Sequence, residues 1–97
     1  MPNVEFRTTE NQFKLGAIVI TPNALLLLSE EDFRNALQRH ANADWGNLCP
    51  EDAQANDRAM NHNGRLLSAY NGRNGTRFWI ITQADRSATM ILLPEEY

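Results

Sequence analysis

Lysine is almost missing from this 97-residue chain, where Lys14 is the sole example, and cysteine occurs once, at Cys49. A lone cysteine excludes an internal disulfide and fits a reducing compartment. Runs of apolar residues are short. The longest compact one, Ala24-Leu25-Leu26-Leu27-Leu28, falls far below the roughly 20 residues that span a bilayer. The start, Met1-Pro2-Asn3-Val4-Glu5-Phe6-Arg7, lacks the basic and apolar regions of a secretory signal, so the expected location is cytoplasmic, with no membrane partner. Repeats, low-complexity tracts and linkers are missing as well. The expectation is one domain over residues 1–97, with 1–12 as a loose or edge segment.

Several chemistries lack their residues. Structural zinc needs four ligands, usually in close pairs, whereas His40, Cys49 and His62 stand with eight and twelve residues between them. Cys49 precedes a predicted helix start, which favours a thiolate, but no nucleophile elbow or oxyanion loop accompanies it. Asn71-Gly72-Arg73-Asn74-Gly75 is glycine-rich, yet a strand follows it where a phosphate cradle requires a helix N-terminus. The acid pairs Glu30-Glu31 and Glu51-Asp52 suit first helical turns, and Glu95-Glu96 reads as a tail. No catalytic residue, cofactor or metal is therefore expected, and the chain reads as a non-enzyme.

What is present is an ordinary globular composition, 42% apolar and 22% charged, with its charge segregated. Between Ser29 and Asp57 seven acids face two arginines; between Arg58 and Arg86 five arginines face one acid. Arginine in place of lysine suits carboxylate or phosphate contacts, and it also follows from GC-rich coding.

Element signals are clear. Phe13–Thr21 is β-rich and stops at Pro22, and Thr21-Pro22 opens a short helix through Leu25–Leu28. Ser29 caps a second helix with acids in its first turn, Asp32 at the capping-box position and an apolar stripe of Phe33, Ala36, Leu37 and His40. His40 is expected at the rim of the core. Pro50 begins a third, mostly polar helix that Asn61-His62-Asn63-Gly64 ends. Arg65–Tyr70, Thr76–Thr82 and Ala88–Leu93 then read as a three-stranded meander. The fold class is α+β: two or three helices on an antiparallel sheet in β-α-α-β-β-β order. The middle strand places Phe78, Ile80 and Thr82 on one face and Arg77, Trp79 and Ile81 on the other, so both faces carry bulky apolar groups.

Trp45, Tyr70 and Trp79, with Arg73, Arg77 and Arg86, are the residue types enriched at binding hot spots, and they form the expected partner-binding set. Both tryptophans read more readily as core, Trp45 above all because it adjoins the helix-ending Gly46. Arginines beside aromatics on a sheet also suit a small nucleic-acid-binding module, opposed by a pI of about 5.2. Acidic helices could mimic the charge spacing of a nucleic-acid backbone. Self-association through an edge strand, with Ala88–Leu93 as the candidate, stays open.

Asp44-Trp45-Gly46, Gly64-Arg65-Leu66-Leu67-Ser68-Ala69-Tyr70, Trp79-Ile80-Ile81-Thr82, Asp85-Arg86-Ser87 and Leu92-Leu93-Pro94-Glu95-Glu96-Tyr97 together resemble a group of small uncharacterised bacterial proteins carried on plasmids and other mobile elements, some named as restriction-modification subunits. The resemblance covers about residues 13–97 and brings no catalytic residues. It implies a mobile-element protein that binds a host protein, such as a defence nuclease complex, in the manner of an anti-restriction or anti-CRISPR inhibitor.

Overall fold

A computed structural model describes residues 11–97. The chain runs β1 (Ala17–Ile20), α1 (Pro22–Leu27), α2 (Glu30–Ala41), α3 (Pro50–Asn61), β2 (Leu66–Asn71), β3 (Arg77–Thr82) and β4 (Ala88–Leu92), then a 3-10 turn over Pro94–Glu96. The α+β class holds, with three helices among the described residues. Most of the loose segment expected over residues 1–12 lies outside the described residues; Gln12 is within them, and its N–H donates to the Ala41 carbonyl at 2.8 Å.

The helix starts follow their caps. Thr21 accepts from the Ala24 N–H at 3.2 Å and Ser29 from the Asp32 N–H at 3.1 Å, each satisfying a first-turn donor. Asp32 does not close the expected capping box. Its carboxylate turns outward to the β2–β3 loop and accepts from the Arg73 N–H and Nε, both at 2.9 Å. The apolar stripe of α2 lands as its spacing dictates: Ala36 is buried, and Phe33 and Leu37 pack on the same core.

The sheet order is β1-β4-β3-β2, with β2/β3 and β3/β4 antiparallel and β1 parallel to β4. The expectation of an all-antiparallel sheet is thereby corrected. A three-stranded meander leaves the outer edge of β4 unpaired, and the uncharged β1 fills it with Ala17 opposite Ala88 and Ile20 opposite Ile91. Hence Ala88–Leu93 is not an edge, and the self-association route expected there is closed.

Leu66, Ser68, Tyr70, Phe78, Ile80, Thr82, Thr89 and Ile91 alternate along the strands onto one inner face, and all are at most 2% exposed. Ala24 and Leu28 of the α1 segment and Ala36 of α2 cover that face. Burying each of Phe78, Ile80 and Ile91 stabilises by roughly 1.5–3 kcal/mol. The C-terminal turn is tied down as well. Glu96 accepts from Thr21 Oγ1 and the Leu93 N–H, both at 2.8 Å, and from Asn23 Nδ2 at 3.2 Å, so Glu96 is an anchor where a tail was expected.

The free edge of β2 is closed by groups from outside the sheet. The buried Asn56 side chain donates to the Leu67 carbonyl at 2.6 Å and accepts from the Leu67 N–H at 3.2 Å. Two residues on, the Ala69 carbonyl accepts from Asn47 N–H at 2.7 Å, and the Ala69 N–H donates to the Trp45 carbonyl at 3.2 Å. Gly46 sits between them with φ of 74°, and a Cβ there would lie 2.0 Å from the Ala69 carbonyl oxygen. Gly46→Ala therefore meets both backbone strain and a backbone clash. It should cost about 2–4 kcal/mol, read as a lowered urea midpoint with an unchanged transition slope.

Candidate interaction surface

His40 is fully buried, and its ring lies between the inner sheet face and the aromatic rings of Phe13 and Trp45. Its Nδ1 is 2.5 Å from Ser68 Oγ and its Nε2 2.8 Å from Thr82 Oγ1; Thr82 Oγ1 is 2.8 Å from Thr89 Oγ1. Thr89 donates its hydroxyl hydrogen to the Leu15 carbonyl at 2.7 Å, which orders the remaining protons. Thr82 must donate to Thr89, so His40 carries its proton on Nε2 and donates to Thr82. Nδ1 is then the acceptor of the Ser68 hydroxyl. The expected rim position of His40 is corrected: the stripe carries it to the centre. Burial, and next the Arg86 charge, push its pKa down from 6.5 to about 3.

This arrangement bears on catalysis. Both His40 nitrogens are engaged and the ring has no solvent contact, so it cannot activate Cys49. That thiol is exposed at the N-cap of α3 and makes no capping bond. Among the described residues no cluster of three or more His, Cys, Asp or Glu side chains could hold a metal ion, and none of the described helices is long and apolar enough to cross a membrane.

The structure divides the six expected partner-binding residues. Trp45 is buried, stacks on Phe13 and donates Nε1–H to Asp57 at 3.0 Å, joining the α2–α3 connection to α3. Tyr70 is 2% exposed, with its hydroxyl donating to the Asp44 carbonyl at 2.6 Å, and burial pushes its pKa up to about 12. Neither ring offers surface to a partner: Trp45 is 6% exposed, and the register of β2 places Tyr70 inward opposite Phe78.

Arg86, at φ of 62°, aims its guanidinium at main-chain carbonyls: Gly64 at 2.7 Å, Gln83 at 3.1 Å, and Ala84 and Ala59 at 3.2 Å. It ties the end of α3 to the β3–β4 turn. Arg73 is exposed but pairs with Asp32 at 2.9 Å and Glu31 at 3.1 Å. The Arg73 N–H, first, and then the guanidinium hold the Asp32 carboxyl below its usual range.

Trp79 and Arg77 remain. They project from the outer face of β3, opposite Ala69 and Asn71. Trp79 is partly buried and Arg77 exposed. Tyr97 stands edge-on to Trp79 at 5.5 Å, with the Arg65 guanidinium 5.2 Å from the Tyr97 ring centroid and hydrogen-bonded to its hydroxyl. Leu67 and Met90, partly buried, flank Ile81 on the same face. Tyr97 was missed in the sequence because nothing local says that the 3-10 turn folds the last residue back over the sheet. Beside this face, Leu48, Asp52, Ala55, Asn56, Arg65 and Leu67 line a shallow cleft of about 250 Å³.

Comparison with protein-family models, with curated proteins and with solved structures finds no match.

The buried imidazole sets a pH dependence. Above pH 6.5 the ring is neutral in both the folded and the unfolded chain. As pH falls from 6.5 towards 3, the unfolded chain binds a proton that the folded one refuses, so stability drops. Between pH 7 and pH 5 this amounts to about 2 kcal/mol. The lowered carboxylates Asp32, Asp44, Asp85 and Glu96 act at lower pH, where unfolded carboxylates protonate. Urea unfolding across pH 5–7 should show the slope in the native chain and a flattened one in His40→Gln.

Proposed function

We infer that this chain is a non-enzymatic binding protein that docks a host protein on the outer face of its sheet. The observation that carries the reading is the Trp79–Tyr97–Arg65 cluster with Arg77 beside it. It joins rigid aromatic surface to guanidinium groups on a β-scaffold, the combination enriched in interface hot spots. Helices α1 and α2 pack on the opposite face; on this one Ile81 and Leu92 are buried, which leaves contact to Trp79, Tyr97, Arg65 and Arg77. The two arginines favour an acidic partner surface, which bidentate arginine contacts would recognise.

The resemblance to small plasmid-borne proteins supports a mobile-element setting in which the partner is a host defence nuclease complex and binding inhibits it. The second reading, a single-strand nucleic-acid module, draws on the same aromatic and arginine pairing. The net charge of −3 weighs against it.

Titration against a defined panel of restriction and CRISPR nuclease complexes should give a saturable complex that inhibits cleavage. Arg77→Glu and Trp79→Ala should each weaken it by about tenfold or more, with Arg77→Glu leaving the urea midpoint unchanged. No complex across the panel, together with salt-sensitive binding to oligonucleotides that Arg77→Glu abolishes, would transfer the assignment to the nucleic-acid reading.

A further inference from the structure

The two edges of the sheet are treated differently. On β2 the outward N–H and C=O of Leu67 and Ala69 are taken by Asn56 and by the Trp45–Asn47 segment. On β1 the only strand beside it among the described residues is β4. The Ala17 N–H donates to the Ser87 carbonyl and the Thr21 N–H to the Ile91 carbonyl, both at 3.0 Å, so Ala17, Val19 and Thr21 turn their main chain towards β4. Alternation then turns the N–H and C=O of Ile18 and Ile20 outward.

β1 is short, at four residues, but it carries no charge, proline or bulge to blunt its edge. Ile18 is 47% and Val19 45% exposed. One residue beyond β1, α1 begins, and its Leu25, Leu26 and Leu27 are 55%, 80% and 46% exposed. Leu15 to Leu28 holds no charged residue at all, in a chain where charges are otherwise frequent.

We propose that this open edge pairs with β1 of a second copy of the chain, antiparallel across a two-fold axis at Val19, extending the sheet to eight strands. Charge selects the occupant. Across a two-fold axis the same patch meets itself, so an edge bearing charge of one sign repels itself while a neutral apolar one does not. A basic or acidic partner would find nothing to pair with here. The outward groups fix the register: Ile18 exchanges both main-chain bonds with Ile20 of the second copy, and Ile20 with its Ile18, giving four hydrogen bonds. Val19 then faces Val19 at a non-hydrogen-bonded position, with Cα atoms about 4.5 Å apart. The leucines of the two α1 helices flank the new strand pair. Because β2 is closed, association stops at two chains. The outer face with Trp79 stays in place on both protomers, so the dimer would present two copies of the surface inferred above without depending on that inference.

Sedimentation equilibrium of the full chain should give a dimer with a dissociation constant below about 100 µM, and Leu26→Glu should raise it at least about tenfold. Leu26→Glu changes the most exposed of the leucines and should leave the urea midpoint at low concentration unaltered. In a Cys49→Ser background, Val19→Cys should form a disulfide-linked dimer on mild oxidation, since Cα atoms at that spacing fall in the range a disulfide bridges. Amide exchange at Ile18 and Ile20 should slow with rising protein concentration.

A chain that stays monomeric at 100 µM overturns the proposal. If those amides are then protected, another segment of the same chain holds the edge; if they exchange fast, the edge is open. A dimer that Val19→Cys does not cross-link and Leu26→Glu does not weaken uses a different surface and overturns it equally.

Discussion

The hydrogen-bond chain from Ser68 through His40, Thr82 and Thr89 to the Leu15 carbonyl is the constraint on which the architecture turns. It passes through α2, all three strands of the meander and the segment leading into β1. Apolar alternation alone tolerates a slip of two residues, which keeps the same side chains on the inner face. A buried polar chain does not, since any slip strands a hydroxyl or an imidazole nitrogen without a partner, at about 1–3 kcal/mol each. The three strands are therefore held in one alignment, with Ser68 opposite Ile80 and Thr82 opposite both Leu66 and Thr89. Helix α2 is pinned above them by the same ring.

That alignment fixes the division between faces. With Thr82 and Ser68 inward, Phe78, Ile80 and Tyr70 go inward too, and Trp79, Ile81 and Leu67 go outward. The outer face is thus apolar by consequence, and it is finished by the C-terminal turn that Glu96 holds against Thr21. Tyr97 reaches Trp79 because the chain is anchored one residue earlier.

Local structure was largely legible in the sequence. Caps, helix stops, the stripe of α2 and the three meander strands all follow from spacing that depends on near neighbours only. Pairing between distant segments was not. That β1 lies parallel to β4 rests on Ala17 to Ile20 meeting Ala88 to Ile91, about 70 positions on in the numbering, and no local pattern encodes such a partner. The same gap explains the surface residues. An alternation argument separates Tyr70 from Trp79 only once the register of β2 against β3 is known, and a type-based choice of aromatics and arginines groups all six together. Arg86 shows the limit most clearly: as a residue type it reads as a phosphate or carboxylate contact, whereas its donors meet four main-chain carbonyls.

The charge segregation takes on a different meaning once the chain is folded. In sequence, an acidic helical half precedes a basic strand half, which suggests two surfaces of opposite sign. Folding sets parts of those halves against each other. Arg73 turns back onto Glu31 and Asp32, Arg39 pairs with Asp44 at 2.8 Å within the acidic half, and Arg86 is committed to carbonyls. These exposed pairs add little stability, and of them only Arg73 sets charge of one half against the other, so the acidic half keeps most of its negative charge. The meander guanidinium groups committed neither to carboxylates nor to carbonyls are those of Arg65 and Arg77, on the outer face beside Trp79 and Tyr97. The positive charge left for a partner is therefore small in amount and placed where the aromatic surface is. Such an arrangement favours recognition by a few well-positioned contacts over long-range attraction to a polyanion.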